Sequence, residues 1–355
     1  MKRTLVVLGA LVLVLVTLRA ALVGTAPQER GAIERLAGSA LGDRRTVAAL
    51  SVEAPGGARW LFARSKGRWR AREAFGAFLD EAALQGWLAA ILDARGVVVE
   101  RDPARADAFG LGADAVVRIG LHGPKVLDAA DRDVVLQFDV GRGAGGRTFA
   151  RRAGADAVLE LDRDVLAALG PIAERSPQSG GAVRLPALVD LHLLAGSLEP
   201  GVLGFREITL ERRGGERLVL RRVPGDDGTE PRWTLAHDGV EEDALPWRAG
   251  GFLGLLLRGE AIGFASVSEA PALGLEAPFA RLVLVPDAGE TIVLALSDRT
   301  AANDGWVWNR RTNLVLHVDA TTHAELAPDA AAFLRKEGGN PWERWLRNLG
   351  PTARK

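Results

Sequence analysis

The chain has 355 residues, 48% hydrophobic and 25% charged, a composition that suits about two folded domains and excludes both a disordered chain and one wholly embedded in a bilayer. Lysine plus arginine balances aspartate plus glutamate at 45 each, so no global positive field gathers nucleic acid, and that role is disfavoured. Cysteine is absent, which removes disulfide frameworks, thiolate metal sites, cysteine nucleophiles and the lipid-bearing cysteine of a lipoprotein.

The N-terminus carries Lys2 and Arg3 ahead of an apolar run from Leu5 to Leu18, the pattern of a signal sequence or an anchor. Ala26 with Gly24 has the small residues that cleavage needs, but Pro27 would follow the bond; Ala20 and Ala21 have Leu18 and Arg19 at the second required position. Cleavage is therefore disfavoured. Counted as one helix, Thr4 to Gly24 is long enough to cross a hydrocarbon layer of ~30 Å at ~1.5 Å per residue, with Arg19 snorkelling outward near the far end. The expectation is a signal-anchor transmembrane helix over residues 1–24, with residues 4–24 in a bacterial inner membrane, the N-terminus cytoplasmic and the bulk periplasmic. A cleaved signal peptide with a soluble product is the alternative. Residues 25–45 read as a stalk with a short helix near Gln28–Leu36.

From here a unit recurs. In residues 46–169 a strand ends near Trp69 and is followed by acidic residues and a stripe of Leu84, Trp87, Leu88, Ile91 and Leu92, the spacing of a helix that lays one face on a core. Phe109-Gly110-Leu111 then precedes a strand, and VVLQFDV, RTFARR and AVLELD read as further strands before a closing helix, Asp162–Leu169. Residues 170–200, rich in Pro, Gly and Ser, read as a connector. In residues 201–335 the order returns: Trp233, then Ala249, Phe252, Leu253, Leu256 and Leu257, then Leu273-Gly274-Leu275, strands TIVLALS, WVWNRR and LVLHVD, and a helix Pro328–Leu334. Trp69 to Gly110 and Trp233 to Gly274 are both separated by 41 residues, so Trp69, Gly110, Leu111, Trp233, Gly274 and Leu275 serve as repeat markers. Short turns between successive strands require antiparallel pairing. The expected fold is α+β: an N-terminal transmembrane helix, then two tandem similar domains, each an antiparallel sheet with a packed helix.

Residues 336–355 form an amphipathic tail. Asn340 and Pro341 begin a helix that puts Trp342, Trp345, Leu346 and Leu349 on one face, a surface for docking on its own domain, a partner protein or the membrane interface.

Gly141-Arg142-Gly143-Ala144-Gly145-Gly146 spells a dinucleotide-binding loop, which requires a strand before it and a helix after it. RTFARR alternates like a strand, and the second copy has SDRTAANDGW at the same junction, so both read as turns. His317 and His323, six apart, fit no zinc pattern; Asp128, Asp131, Asp133 and Asp139 lack the glycine and glutamate of a calcium loop. Ser39 and Ser197 lack the flanking glycine of a nucleophile elbow, and only a triad dispersed along the chain stays open. No cofactor or metal is expected. Seven tryptophans within the two copies (Trp60, Trp69, Trp87, Trp233, Trp247, Trp306 and Trp308) read as core, or as a sugar-stacking platform.

With Trp69, the Leu84–Leu92 stripe, Phe109-Gly110-Leu111, the strands RTFARR and AVLEL, and the Leu273-Gly274-Leu275-Glu276 and Pro278 element, the chain resembles the family of domains of unknown function numbered 4340 over about Leu50 to Leu334 plus the anchor. In the first copy Gly112 and Asp114 replace the acid and proline. The resemblance implies a single-pass envelope protein found beside ABC-type exporter and gliding-type transport components, and it lends no catalytic residues. The expected function is a membrane-tethered extracytoplasmic binding or scaffold protein, not an enzyme, accessory to an ABC-type export or envelope complex. An envelope glycan- or lipid-binding module and a hydrolase with a dispersed site are the alternatives.

Overall fold

The structure is a computed structural model that describes residues 31–37, 47–55, 57–123, 134–173, 186–199, 201–202, 204–225 and 231–334. The chain divides into two compact units, Met1–Arg59 with Gln85–Ser179 and Trp60–Leu84 with Gly180–Lys355. In chain order the first half contributes β1 (Ile33–Arg35), β2 (Ala49–Glu53), β3 (Arg59–Ser65), β4 (Arg68–Ala71), β5 (Ala77–Phe78), helix α1 (Glu81–Asp93), β6 (Arg95–Glu100), β7 (Val117–His122), β8 (Val134–Arg142), β9 (Thr148–Arg152) and β10 (Val158–Leu161).

In the first unit the strands lie side by side in the order β1-β6-β10-β9-β8-β7-β2, with antiparallel neighbours throughout. Alternation makes these strands: Leu136, Phe138 and Val140 of β8 are buried, while Gln137 and Asp139 face the other way. The outward face carries a charge ladder, in which Arg118 reaches Glu53 at 3.5 Å and Asp139 at 3.1 Å, and Arg151 reaches Asp139 at 3.3 Å. The cross-strand register that puts Asp139 beside both arginines fixes that pairing. Asp80 caps α1, its carboxylate accepting from the Ala82 and Ala83 amides at 2.9 and 3.0 Å. Leu84, Trp87, Leu88 and Ile91 of that helix are buried, at roughly 1.5–3 kcal/mol each, and the Trp87 indole N–H donates to the Val165 carbonyl at 2.7 Å.

The second half supplies β11 (Phe205–Arg212), β12 (Arg217–Val223), β13 (Arg232–His237), β14 (Val240–Asp243), α2 (Pro246–Arg258), β15 (Gly263–Ala265), β16 (Ala280–Pro286), β17 (Ile292–Leu296), β18 (Gly305–Asn309), β19 (Leu314–Val318), α3 (Ala320–Leu326) and α4 (Ala330–Leu334). These strands form a nine-stranded antiparallel sheet in the order β14-β13-β12-β11-β16-β17-β18-β19-β15. One core runs over its inner face, from Phe205, Leu210, Leu282 and Leu294 to Phe252 and Leu256 of α2. The meander β3-β4-β5 also lies in this unit, where Leu79 bridges Val189 and the Asp190 amide donates to the Phe78 carbonyl at 2.8 Å.

The two halves share one topology. The run β6-β10-β9-β8-β7-β2 matches β15-β19-β18-β17-β16-β11, the meander β3-β4-β5 matches β12-β13-β14, and each half has one 13-residue helix between its fourth main strand and its next one. The match extends further towards the N-terminus than periodicity indicates. Glu34 opposes Gly96 in the β1–β6 pair, and His192 bridges Glu260 just after α2. Both are followed two residues later by Leu-Ala-Gly-Ser, at Leu36 and at Leu194. The opening strand of the first copy and the matching bridge of the second thus lie within the segments that read as stalk and connector, and Ile33–Arg35 is a strand where a helix was expected.

The α+β expectation is overturned. The chain is mostly β, two large antiparallel sheets of nineteen strands among the described residues, and no helix among those residues is long and apolar enough to cross a membrane. The excess of strand comes from pieces too short or too polar to alternate, such as β5 with two residues and β14, whose four residues are all exposed. The first closing segment differs as well, Ala167–Ala173 being a 3-10 turn, whereas the closing helix of the second copy is present as Ala330–Leu334. Residues 4–24 and the tail face of Trp342, Trp345, Leu346 and Leu349 lie outside the described residues.

Gly196, at φ +68°, sits against Phe78 so closely that a Cβ would overlap the ring. Gly239, at φ +80°, has open space around its Cβ position. Gly239→Ala is expected to cost about 1–2 kcal/mol from the left-handed backbone alone, and Gly196→Ala to cost about 1–3 kcal/mol more from overpacking, read as urea midpoints of the full chain. Equal losses would show that Phe78 does not pack on Gly196.

Candidate functional site

The glycine run joins β8 to β9 as an antiparallel hairpin, with Arg142 opposite Thr148, so no helix N-terminus follows to receive a phosphate. Its glycines answer to packing. A Cβ on Gly141 would overlap the Gly110 carbonyl, and one on Gly143 would press into the Phe149 ring. Repeat marker Gly110, at φ +73°, is the other half of that approach, a Cβ there meeting the Arg142 carbonyl. Leu111 and Leu275 are buried, Trp69 is buried and Trp233 half-buried.

His317 and His323 have separate hydrogen-bond partners. His317 bonds the Asp304 carboxylate through Nε2 at 2.9 Å and stacks on Trp306 at 4.4 Å between centroids. The Thr300 hydroxyl, then His317, hold the Asp304 carboxyl below its ordinary range. His323 is buried, with its Nε2 hydrogen bonded to the Ser297 carbonyl at 3.0 Å. Ser197 accepts from the buried Asn309 amide at 2.7 Å, a structural bond that also ties the Leu-Ala-Gly-Ser turn to β18. Asp139 lies in the charge ladder; Asp128, Asp131, Asp133 and Ser39 fall outside the described residues. A Ser51–His122 pair at 2.8 Å occurs in the first unit. In the second unit an Asp190–His192 pair at 2.7 Å edges a cavity of about 460 Å³ whose lining contains no serine, threonine or cysteine. Among the described residues no three His, Asp or Glu side chains are placed to hold a metal ion.

A cleft of about 640 Å³ in the second unit was not legible in the sequence. One wall is a face of α2, with Trp247, Arg248, Gly251, Phe252 and Leu255 recurring at helical spacing. The facing wall comes from α3, α4 and the turn between them, including His323, Ala327, Asp329 and Phe333; Arg212 and Phe279 lie below, and Arg299 is also part of the lining. Phe252 and Phe333 meet edge to face at 5.6 Å. Arg212 is committed: it pairs with Glu216 and Asp329 and donates to the Ala327 carbonyl at 2.6 Å, which clips the α3–α4 turn onto β11. Arg248 stacks on its neighbour Trp247 at 4.1 Å. Trp247 is 50% exposed, whereas Trp60, Trp69 and Trp87 are buried, so one tryptophan of the seven is presented openly in a cleft. The sequence signal for this wall is the Pro246-Trp247-Arg248 start of α2, where an aromatic and a cation stand outside the apolar stripe.

Comparison with protein-family models, curated proteins and solved structures finds no match for this chain.

Burial pushes the His323 imidazole below its ordinary value, and Arg299 adds to this; the bond to the Ser297 carbonyl and the carboxylates of Asp304 and Asp298 oppose it. A histidine that resists protonation when folded makes the unfolded chain the better proton acceptor. Its contribution to stability is full above the unfolded value of about 6.5 and fades as pH falls below it. Urea midpoints of the wild type are expected to drop between pH 7 and 5.5, and those of His323→Gln to drop less. Parallel curves would remove His323 as the cause.

Proposed function

We propose that this protein is a non-enzymatic binding protein whose ligand seat is the cleft walled by α2, α3 and α4. The observation that carries this reading is the contrast between the two 13-residue helices, α1 and α2. Core-facing positions stay large or apolar in both: Leu84 and Ala249, Trp87 and Phe252, Leu88 and Leu253, Ile91 and Leu256. At the positions that line the cleft, Trp247, Arg248 and Leu255 replace Ala82, Ala83 and Ala90. Fold maintenance does not require that difference, because α1 serves the same framework with alanines. A cleft of this size falls within the ~300–1,000 Å³ range of small-molecule sites.

The resemblance to the envelope family supports work in a bacterial cell envelope, beside an ABC-type export complex. A second reading, as a scaffold of such a complex, is favoured by the β1–β6 edge of the first unit, where the cross-strand pair Ile33 and Val97 are 70% and 42% exposed.

Gly251→Trp fills the cleft, while Gly250→Trp on the same helix lies outside its lining. Titration with the uncharged dye N-phenyl-1-naphthylamine is expected to show at least tenfold weaker binding to Gly251→Trp and near wild-type binding to Gly250→Trp. Equal binding by all three proteins, with unchanged near-UV circular dichroism, would dismiss the cleft as a ligand seat.

A further inference from the structure

We propose that the meander β3-β4-β5 of the second unit is a docking surface for an anionic lipid bilayer. The observation that carries this is a difference in charge balance between the two matching meanders. In β12-β13-β14 every arginine of the strands has a carboxylate partner: Arg217 with Glu211 at 3.7 Å, Arg221 with Glu207 at 2.9 Å, Arg222 with Asp287 at 2.6 Å and Arg232 with Asp243 at 3.3 Å. In the first meander Arg64, Lys66, Arg68, Arg70 and Arg72 crowd one short stretch, and among the described residues none of them makes an ion pair. Register locates the difference. Arg64 lies opposite Trp69 as Arg222 lies opposite Trp233, and Arg68 precedes Trp69 as Arg232 precedes Trp233. Where the second copy sets Asp243 opposite Thr234, the first sets Phe78 opposite Arg70. Arg68 and Arg70 therefore lie over an aromatic ring, at 5.4 and 4.0 Å, in the place of a carboxylate. Burial, then the charge of Arg68, pushes the Arg70 guanidinium below its ordinary value, which is how like charges crowded together behave. Arg68 also borders a cavity with Asp80, Glu81, Asp190 and Glu260, so its charge is the least available. Arg64, Lys66 and Arg72 are exposed. Arg64 and Arg70 each donate to a main-chain carbonyl, that of Gly67 at 3.1 Å and that of Gly76 at 2.9 Å, bonds that hold the side chain without cancelling its charge.

Phe75 separates a bilayer from a soluble polyanion. It is 49% exposed in the β4–β5 turn, with its amide bonded to the Arg72 carbonyl at 3.1 Å, and its φ is +54°. A bulky side chain in the left-handed region is strained, whereas glycine sits there freely. The turn thus holds an aromatic ring in solvent at a conformational cost, directly beside a cation. A bilayer matches both features: its anionic headgroups move independently to meet cations at the two ends of β4, and its interface takes up an aromatic ring. A nucleic acid backbone offers no such apolar layer, and a folded acidic partner would have to match the shape of two separate turns.

The chain has no cysteine, so Ser65→Cys gives the full chain a single site for a bimane label at the β3–β4 turn, and Val240→Cys gives one at the matching β13–β14 hairpin. The label reads contact by each meander apart from any contact by the apolar run Leu5–Leu18. Vesicles of phosphatidylcholine alone, or mixed with phosphatidylglycerol, carry a nitroxide on a headgroup as quencher. Quenching at Ser65 is expected to be roughly threefold stronger on the mixed vesicles and to vanish in high salt, while the Val240 label stays unquenched on both. Lys66→Glu combined with Arg72→Glu should abolish the effect at unchanged far-UV circular dichroism. Phe75→Gly should weaken it while leaving the urea midpoint unchanged or higher, since glycine relieves the positive φ. Equal quenching on both vesicles, or quenching that survives the double charge reversal, would overturn the anionic surface. Quenching at Val240 as strong as at Ser65 would show indiscriminate adsorption and overturn the docking face. A Ser65 label that ignores the vesicles but shifts with polyglutamate or duplex DNA would overturn the bilayer and assign the cations to a soluble polyanion. A lower urea midpoint for Phe75→Gly would place Phe75 in the fold and overturn its part in docking.

Discussion

Each sheet depends on one ladder between strands far apart in sequence. In the second unit β11 pairs antiparallel with β16 from Phe205 opposite Pro286 to Arg212 opposite Ala280. Hairpins and short turns give β11-β12-β13-β14 and β16-β17-β18-β19 locally, but neither meander alone covers its apolar face. Joining them brings Ile208 and Leu210 beside Leu282 and Leu284 and lets Phe252 and Leu256 of α2 close the face. The join has to overcome the closure entropy of a loop of roughly seventy residues before any of that burial is gained. The β2–β7 ladder, from Ala49 opposite His122 to Glu53 opposite Arg118, does the same for the first unit.

The ladder also explains why the candidate site is where it is. Once the stripe of α2 is committed to the core, its adjacent face is free to vary. In the first copy that freedom went to alanines, and in the second to Trp247, Arg248 and Leu255. The Arg212 clip, at the end of β11, then sets the α3–α4 turn opposite that face. A framework used twice thus has one helix with alanines beside its core stripe and one whose corresponding side chains line a cleft.

Much of the framework was legible in the sequence, because burial imposes period. The α1 and α2 stripes, the alternating strand β8 and the hairpin at Gly141–Gly146 all follow from which residues must face inward. β14, with Val-Glu-Glu-Asp fully exposed, has no inward face to announce it, and β1 is three residues defined by what lies beside it. The interleaving that places β4 and β5 in the second unit is equally silent, since it rests on Phe78 meeting Gly196 more than a hundred residues away. The cleft was hidden for the same reason. Its lining includes long-range pairings such as Arg212 with Asp329, which no local pattern encodes.

The most direct test of the ladder as the organising element is native-state amide exchange followed residue by residue. Amides of β11 and β16 that face each other should be the slowest to exchange in the second unit, opening only with global unfolding, while those of β14 and the end of β13 exchange through local fraying. Fast exchange along β11 and β16, with the β18–β19 hairpin still fully protected, would show that the meanders are stable apart and that the long-range join does not hold the fold.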